Sequence, residues 1–292
     1  TISPLLERYA TMMAATDLKP RGEAVTDDWE ELFKVETDAT TRIPLLPRSL
    51  NKRIGGGVRR GDSVLVLGRP NSGKSLFCIN AAAGCLRNGL KVLWVENEER
   101  GNRTKLRLAK RILGWDEDQV KQQPTLAATT LRAAIGDRFI YEGLYPGTPM
   151  EVERLVIRHR PDVLVLNQIR NINAKGENFT RTLDSAAQAI RVIGKRHNCV
   201  TIAVTQAKAP GTDYQGNVRD RPVLTQDDID SSHTGMPGAY DLIIGYGVTP
   251  QLRLDKKACI NIAKSKFGSD GEHFYVAVLP EYDKLSTLEN TT

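Results

Sequence analysis

The sequence lacks the features that would assign it to a membrane, secreted or metal-stabilised class of protein. None of its four cysteines belongs to a Cys-x-x-Cys pair, and no histidine stands at metal-ligand spacing from them. Neither a disulfide framework nor a structural zinc site is therefore predicted, and reduced thiols in the core are expected. No run approaches the roughly 20 apolar residues that cross a bilayer, and no signal peptide opens the chain. A cytoplasmic location with no membrane partner is the expectation.

The chain also lacks an initiating methionine. It begins at Thr1, so either a trimmed chain or a fragment of a longer polypeptide is expected. Its 292 residues are 40% hydrophobic and 26% charged, as in an ordinary globular protein with a large core. The net charge of +6 is compatible with a polyanionic partner but does not require one.

The sequence pattern of residues 1–42 differs from that of the rest of the chain, and these residues are predicted to form an N-terminal helical arm. Short helices are expected over residues 3–13 and 27–34, because a proline or acidic residues occupy their first turns. Such an arm either folds back on its own core or docks on a neighbouring subunit. Residues 43–292 form the second predicted unit, which is the core domain.

From Gly61 onward, apolar runs of strand length alternate with helical segments. Continuous apolar strands of this kind are typical of a parallel sheet that helices cover on both faces. Two later runs flank a glycine-containing turn, which predicts an antiparallel hairpin. The predicted fold class is therefore α/β, with a mainly parallel sheet flanked by helices and a late hairpin. The predicted strands cover residues 63–67, 92–95, 138–141, 162–166, 200–204, 241–246, 259–263 and 274–278, and the predicted helices cover 75–87, 150–160 and 182–197.

The segment between the first strand and the first core helix has the Gly-x₄-Gly-Lys-Ser spacing of a phosphate-binding P-loop. In this context backbone N–H groups point at phosphate oxygens, and the helix dipole adds to the attraction. Lys74 is expected to hold the β- and γ-phosphates, and the Ser75 hydroxyl to ligate Mg²⁺. ATP and Mg²⁺ are thus the predicted cofactors. The predicted nucleotide-binding residues are Gly68, Arg69, Pro70, Asn71, Ser72, Gly73, Lys74 and Ser75.

Polar side chains follow the second and fifth strands, where ligands of parallel α/β folds lie. A carboxylate after the second strand can face the γ-phosphate and polarise water as a general base. Glu98 is the first choice for this role and Glu96 the reserve, with an acidic, solvated helix start as the alternative. Gln206 ends the fifth strand, where an amide either senses the γ-phosphate or bonds to its own loop.

The fourth predicted strand ends at Asn167, where an acid that holds the Mg²⁺ water shell would be expected. Ser75 and Asn167 are the predicted metal-site residues, but an amide supplies no negative charge. Weakened metal binding and hydrolysis are therefore predicted, and Asp162 lies at the wrong end of the strand to compensate. Either the protein has diverged here, or an aspartate was replaced deliberately to trap bound ATP. The intact remainder of the site favours the replacement.

Taken in order along the chain, these residues resemble the RecA-like motor domain of DnaB-type hexameric replicative helicases, especially those of phages. The resemblance covers about residues 43–285 and includes the P-loop, the strand ends and the segment 264–268. It implies an ATP-driven helicase motor that translocates on single-stranded DNA, in the host cytoplasm if a phage encodes it. It also implies a homo-oligomer, expected to be a hexamer, with ATP sites at the subunit interfaces. A primase or a helicase loader is a further candidate partner.

The resemblance also assigns roles to individual residues. Glu98 matches the family's catalytic glutamate, and Gln206 matches its γ-phosphate sensor. Lys264 and Lys266 match a basic pair that reaches the neighbouring subunit's ATP, whereas solvated lysines on a turn are the alternative. The outer member of the pair is usually an arginine, and Lys266 lacks the bidentate fork of that side chain. Tyr282 either stacks on adenine or packs in the core.

In such rings, loops after the fourth and fifth strands hold single-stranded DNA in a central channel. The matching segments here are residues 170–176 and 208–235. The second segment is long for a compact domain and contains one aromatic residue, so contacts with the DNA backbone are expected to dominate over base stacking. The predicted DNA-binding residues are Lys175, Lys208, Arg219, Arg221, Ser231, Ser232, His233, Thr234 and Gly235.

Two other functions stay open on the sequence alone. A RecA-like recombinase shares the core but forms an open filament on DNA. A non-hydrolysing nucleotide-binding assembly protein is favoured by Asn167 and Lys266, since each weakens hydrolysis.

Overall fold

The computed structural model describes residues 28–30, 33–34, 38–98, 101–211, 220–230 and 235–288. The predicted helix over residues 3–13 lies outside these ranges, and the segment 27–34 lies only partly within them. Buried core residues occur from Ile43 onward. The boundary at residue 42 between arm and core stays a prediction.

One sheet forms the centre of the described part of the molecule. Its strands are β1 (Ser63–Gly68), β2 (Val92–Glu96), β3 (Phe139–Gly143), β4 (Val163–Leu166), β5 (Val200–Gln206), β6 (Leu242–Gly247), β7 (Lys257–Ser265), β8 (His273–Leu279) and β9 (Lys284–Thr287). Their order across the sheet is β3-β2-β4-β5-β1-β6-β7-β8-β9. All pairings from β3 to β6 are parallel, and those from β6 to β9 are antiparallel. The predicted α/β class with a late hairpin is therefore confirmed.

Helices accompany the sheet, and three of them confirm the helices predicted from the sequence. From residue 38 onward, the α-helices of the described ranges are α1 (Arg48–Arg53), α2 (Lys74–Arg87), α3 (Gly101–Leu113), α4 (Glu117–Gln122), α5 (Pro124–Ile135), α6 (Pro149–His159), α7 (Phe179–Arg196), α8 (Gly235–Gly238) and α9 (Pro250–Leu254). The confirmed helices are α2, α6 and α7. The sequence does not predict the helices α3 to α5 between β2 and β3, the short helices α1, α8 and α9, or the last strand β9.

The two faces of the sheet build two hydrophobic layers, and β1 shows how they are formed. All six residues of this strand are buried. Val64 and Val66 pack into the layer that contains α2, whereas Leu65 and Leu67 pack into the layer that contains α7. All four cysteine thiols are buried, as expected for core thiols. Because β1 is covered on both sides, the position of its carboxyl end is fixed.

A buried polar cluster joins helix α2 to helix α3 and strand β9. Asn80 of α2 is fully buried, donates to the Asp283 carbonyl at 3.1 Å and accepts from the backbone nitrogen of Leu285 at 3.0 Å. Arg111 of α3 donates its Nε to the same amide oxygen at 2.5 Å. Burial and the nearby Arg87 lower the pKa of Arg111 to about 10. One amide therefore holds the helix that follows the P-loop against its neighbours.

Replacing Asn80 by alanine is expected to lower the free energy of unfolding by about 2–4 kcal/mol, because Arg111 and the backbone of β9 lose a buried acceptor. Urea unfolding followed by circular dichroism measures this change. Asn88→Ala is the matched control at the C-cap of the same helix, since Asn88 is exposed and its side chain donates to the Gly84 carbonyl. Its expected loss is below about 1 kcal/mol. Equal losses in the two variants would contradict the role of the cluster.

Candidate nucleotide site

The P-loop joins the carboxyl end of β1 to the first turn of α2, and its path requires glycine at two positions. Gly73 has a φ of 98°, in the left-handed region that favours glycine. A Cβ atom at Gly68 would lie 2.7 Å from the Ser72 hydroxyl oxygen and 2.9 Å from the Tyr246 carbonyl oxygen. These close approaches let the loop wrap tightly around the N-terminus of α2, where anions are stabilised.

Two polar side chains of the P-loop are buried. The Ser72 hydroxyl has no hydrogen-bond partner within the described part of the chain, and the Lys74 ammonium donates to the Arg69 carbonyl at 2.9 Å. Burial lowers the pKa of Lys74, Glu98 opposes this shift, and Arg170 adds to it. An unsatisfied buried hydroxyl and a buried ammonium are donors that suit phosphate oxygens. The residues of the loop therefore fit the phosphates of a nucleotide.

The predicted metal-site residues lie together, and a buried carboxylate joins them. Val95 of β2 pairs with Leu166 of β4, so the residues that follow, Glu96 and Asn167, are neighbours. The Asn167 Nδ2 donates to the Glu96 Oε1 at 2.7 Å, and the Ser75 hydroxyl donates to the Asn167 Oδ1 at 3.4 Å. A hydroxyl, an amide and a carboxylate are oxygen donors that suit Mg²⁺. The side chains present therefore fit the metal that the P-loop implies.

The two glutamates after β2 lie in different environments. Glu96 is fully buried, whereas Glu98 is exposed. The Glu98 carboxylate is close enough to the P-loop to raise the pKa of Lys74. Glu98 thus combines nearness to the phosphate site with access to water, and its role as general base stays a prediction.

Gln206 lies beside the P-loop and is tied to two later segments of the chain. The register of β1 and β5 places Gln206 opposite Gly68. Arg170, which follows β4, donates to the Gln206 Oε1 at 2.9 Å and pairs with Asp230 at 3.1 Å. The backbone nitrogen of Asp230 donates to the Gln206 carbonyl at 3.2 Å. No pattern in the sequence points to this Arg170–Gln206–Asp230 link, because its members are joined only by the sheet topology.

A surface cleft lies beside the P-loop, next to the segment that follows β6. Arg69 pairs with Asp220 in this region, and Arg253 donates to the Asn71 carbonyl at 3.0 Å. Tyr282 is half-buried and is not among the residues that line the cleft, so its stacking on adenine stays a prediction. The lining residues are Arg69, Pro70, Ser72, Asp220, Val248, Pro250, Arg253 and Leu254.

Lys264 and Lys266 lie near the amino ends of the parallel strands, whereas the P-loop lies at their carboxyl ends. Strand β6 runs parallel to β1, and β7 returns antiparallel beside it, so the end of β7 lies near the start of β1. Lys264 donates to the Pro237 carbonyl at 2.7 Å, and Lys266 pairs with Asp241 at 2.6 Å. The length of the strands therefore separates these lysines from the P-loop of their own chain.

The structure describes only some of the residues predicted to bind DNA. Lys175 is exposed after β4, and the exposed Arg221 pairs with Asp228 at 2.9 Å. Lys208 donates to a backbone carbonyl at 3.1 Å, and Gly235 begins α8. These positions leave the DNA contacts as predictions. Arg219, Ser231, Ser232, His233 and Thr234 lie outside the described ranges.

Two other kinds of feature are absent from the ranges that the structure describes. No helix among these residues is long and apolar enough to cross a membrane. In the same part of the chain, no group of three or more His, Cys, Asp or Glu side chains is arranged to hold a metal ion. A metal at the P-loop would therefore rely on Ser75, Asn167 and Glu96 together with oxygens of the nucleotide.

A family model described as an AAA domain matches residues 28–211 of the chain. Among curated proteins, the DNA repair protein RadA of Aquifex aeolicus (strain VF5) is 27% identical over 159 residues. The match covers 54% of this chain and 28% of that relative, so the chain spans little more than a quarter of the relative's length.

Two solved structures resemble the whole architecture. The structure of a DnaB-like replicative helicase, described with its interactions with primase, has a TM-score of 0.75 at 16% identity and covers 99% of this chain and 72% of that one. A second solved structure, described as an ATPase domain, has a TM-score of 0.71 at 17% identity and covers 91% of this chain and 100% of that one. At these identities the likeness concerns the fold, and the predicted RecA-like fold is confirmed.

Proposed function

Because the chain belongs to the AAA domain family, we propose that it is an ATP-dependent DNA helicase motor that translocates along single-stranded DNA as a ring. The chemistry is hydrolysis of ATP, with Mg²⁺ as the metal. The hexameric state, a phage origin and a primase or helicase-loader partner belong to the same proposal. The DnaB-like helicase that shares the fold is itself described with primase.

The observation that carries this proposal is the Arg170–Gln206–Asp230 link. Gln206 lies beside the first residue of the P-loop, where it can respond to the γ-phosphate. Arg170 belongs to the segment 170–176, and Asp230 to the segment 208–235, which are the two segments predicted to contact DNA. A change at Gln206 can therefore move both segments through hydrogen bonds that are already formed. A protein that only stores a nucleotide has no need of such a connection.

Each functional side chain around the P-loop has a separate task in hydrolysis. Lys74 and the backbone N–H groups of the P-loop bind the phosphates and stabilise charge that develops during transfer. Glu98 orients the attacking water and accepts its proton, since this carboxylate is exposed beside Lys74. Mg²⁺, when bound, neutralises charge on the β- and γ-phosphate oxygens. Gln206 senses whether the γ-phosphate is present.

The ring is proposed because one chain holds two separated halves of a site. The P-loop lies at the carboxyl ends of the parallel strands, and Lys264 and Lys266 lie at the amino ends of the same strands. In a head-to-tail ring, one edge of each subunit faces the opposite edge of the next. Lys266 is half-exposed and would leave Asp241 to contact a phosphate of the neighbour.

The test is strand separation on a forked duplex with an unpaired single strand, with ATP and Mg²⁺. The wild-type chain is expected to release the labelled strand, and the Lys74→Ala variant is expected to release none. A non-hydrolysable ATP analogue is expected to support DNA binding without release. Nucleotide binding with neither DNA binding nor strand release by the wild-type chain would sink the helicase proposal.

A DNA-repair ATPase of the recombinase type is the second candidate, and the RadA relative favours it. Electron microscopy of the protein on long single-stranded DNA separates the two. Closed rings threaded on the strand support the helicase, and continuous open filaments support the recombinase.

A further inference from the structure

Asn167 lies between a hydroxyl and a buried carboxylate. Its amide oxygen accepts from the Ser75 hydroxyl at 3.4 Å, and its amide nitrogen donates to Glu96 at 2.7 Å. A carboxylate oxygen only accepts hydrogen bonds when ionised, so the nitrogen of the amide must face Glu96. One side chain thus connects the predicted magnesium ligand to a carboxylate one strand further along the sheet.

Glu96 is held in place by several donors besides Asn167. The Trp94 indole nitrogen donates to Glu96 at 3.1 Å, the Glu98 backbone nitrogen at 3.1 Å and the Thr104 hydroxyl at 3.3 Å. The carboxylate is therefore fixed at the carboxyl end of β2, in a buried position where its charge acts strongly on its surroundings.

An aspartate at position 167 would not fit this arrangement. It would place a second carboxylate about where the Asn167 amide nitrogen now donates to Glu96, and it would replace a hydrogen bond by like-charge repulsion. The amide of Asn167 and the carboxylate of Glu96 are therefore complementary as donor and acceptor. This matching favours divergence of the site over the deliberate replacement of an aspartate.

We propose that Glu96 supplies the negative charge of the magnesium site and that Asn167 is a positioning residue that holds Glu96 and orients Ser75. Mg²⁺ keeps several waters and needs only one or two protein carboxylates, so a single fixed carboxylate near Ser75 suffices. The charge absent at the end of β4 is then present at the end of the neighbouring strand β2. This inference rests on the proposed ATP site and goes beyond it by assigning the acidic residue.

The test compares the wild-type chain with Glu96→Gln, Asn167→Asp and the double variant, which exchanges the carboxylate and the amide between the two strands. Mn²⁺ is the probe, and its affinity for the complex of the protein with a non-hydrolysable ATP analogue is measured by electron paramagnetic resonance. Glu96→Gln is expected to weaken Mn²⁺ binding by about tenfold or more. The double variant is expected to restore it to within about threefold. Nucleotide affinity in EDTA is expected to stay within about threefold in all four proteins.

Unchanged Mn²⁺ affinity in Glu96→Gln would overturn the proposal, and so would a double variant no better than Glu96→Gln. If Glu96→Gln does not fold, Asn167→Asp decides alone. Its two carboxylates are expected to repel until a cation binds, so Mn²⁺ should raise its unfolding temperature several degrees more than that of the wild type. An equal rise in both proteins overturns the proposal. A wild-type chain that binds no nucleotide in EDTA or in Mn²⁺ would instead refute the ATP site itself, and this inference with it.

Discussion

Replacing Lys74 by alanine is expected to weaken ATP binding by about a hundredfold and to abolish turnover. The ammonium is buried and bonds to the Arg69 carbonyl, so it is held ready for the phosphates. Losing a charged donor to phosphate oxygens costs about 1.5–3 kcal/mol for each hydrogen bond, and a tenfold change in affinity corresponds to about 1.4 kcal/mol. Titration with a fluorescent ATP analogue and a coupled ATPase assay measure both effects.

The matched control for Lys74→Ala is Lys121→Ala, because Lys121 is exposed on α4 and pairs with Glu117. This control is expected to bind the analogue like the wild type. The unfolding temperature of Lys74→Ala should not fall, since burial already disfavours the charged form of Lys74 by lowering its pKa. Analogue affinity within about twofold of the wild type in Lys74→Ala would show that the nucleotide binds elsewhere.

Replacing Lys266 by alanine is expected to slow ATP hydrolysis by about a hundredfold while analogue binding persists, because a cation aimed at developing charge acts mainly in the transition state. The variant should stay folded. Asp241 keeps its bonds from Ser63, whose nitrogen donates at 3.0 Å and whose hydroxyl donates at 2.9 Å. Single-turnover ATPase measurements separate the loss in hydrolysis from any loss in binding.

Mixing the two variants shows whether Lys266 acts on its own chain or on a neighbour. Each variant carries one intact half of the site. In equal mixtures of head-to-tail rings, about one quarter of the interfaces combine an intact Lys74 with an intact Lys266 from the next subunit. Turnover in the mixture is therefore expected to rise well above that of either variant alone. A mixture as inactive as its components would contradict a shared site.

The strands were the part of the fold that could be predicted from the sequence. Continuous apolar runs such as residues 63–67 and 200–204 lie where predicted, because strands covered on both faces need apolar residues at every position. Strand β9 was missed, since Leu285 is its one buried apolar residue and so short a segment gives no pattern. Helix α3 did carry a signal, because it buries Thr104, Leu108 and Ile112 at a spacing of four residues.

The P-loop of the candidate site could be predicted from the sequence, but the contacts between residues on different strands could not. The P-loop is contiguous in sequence, so its spacing alone located it. The contact of Glu96 with Asn167 depends on the register between β2 and β4, which no local pattern fixes. The same is true of Arg170 and Asp230, which meet at Gln206 only because β4 and β5 are adjacent strands. From the sequence alone, Asn167 therefore indicates only the loss of a charge, because its contact with Glu96 is not visible there.

On the proposed function, this chain, with Asn167 in place, uses ATP in a way that responds to DNA. The decisive measurement is ATP turnover by the wild-type chain in Mg²⁺, with and without single-stranded DNA. We expect measurable turnover that DNA raises by about fivefold or more, which corresponds to an activation free energy lower by about 1 kcal/mol, and none with Lys74→Ala. Bound ATP that is not hydrolysed, with DNA present or absent, would contradict this function.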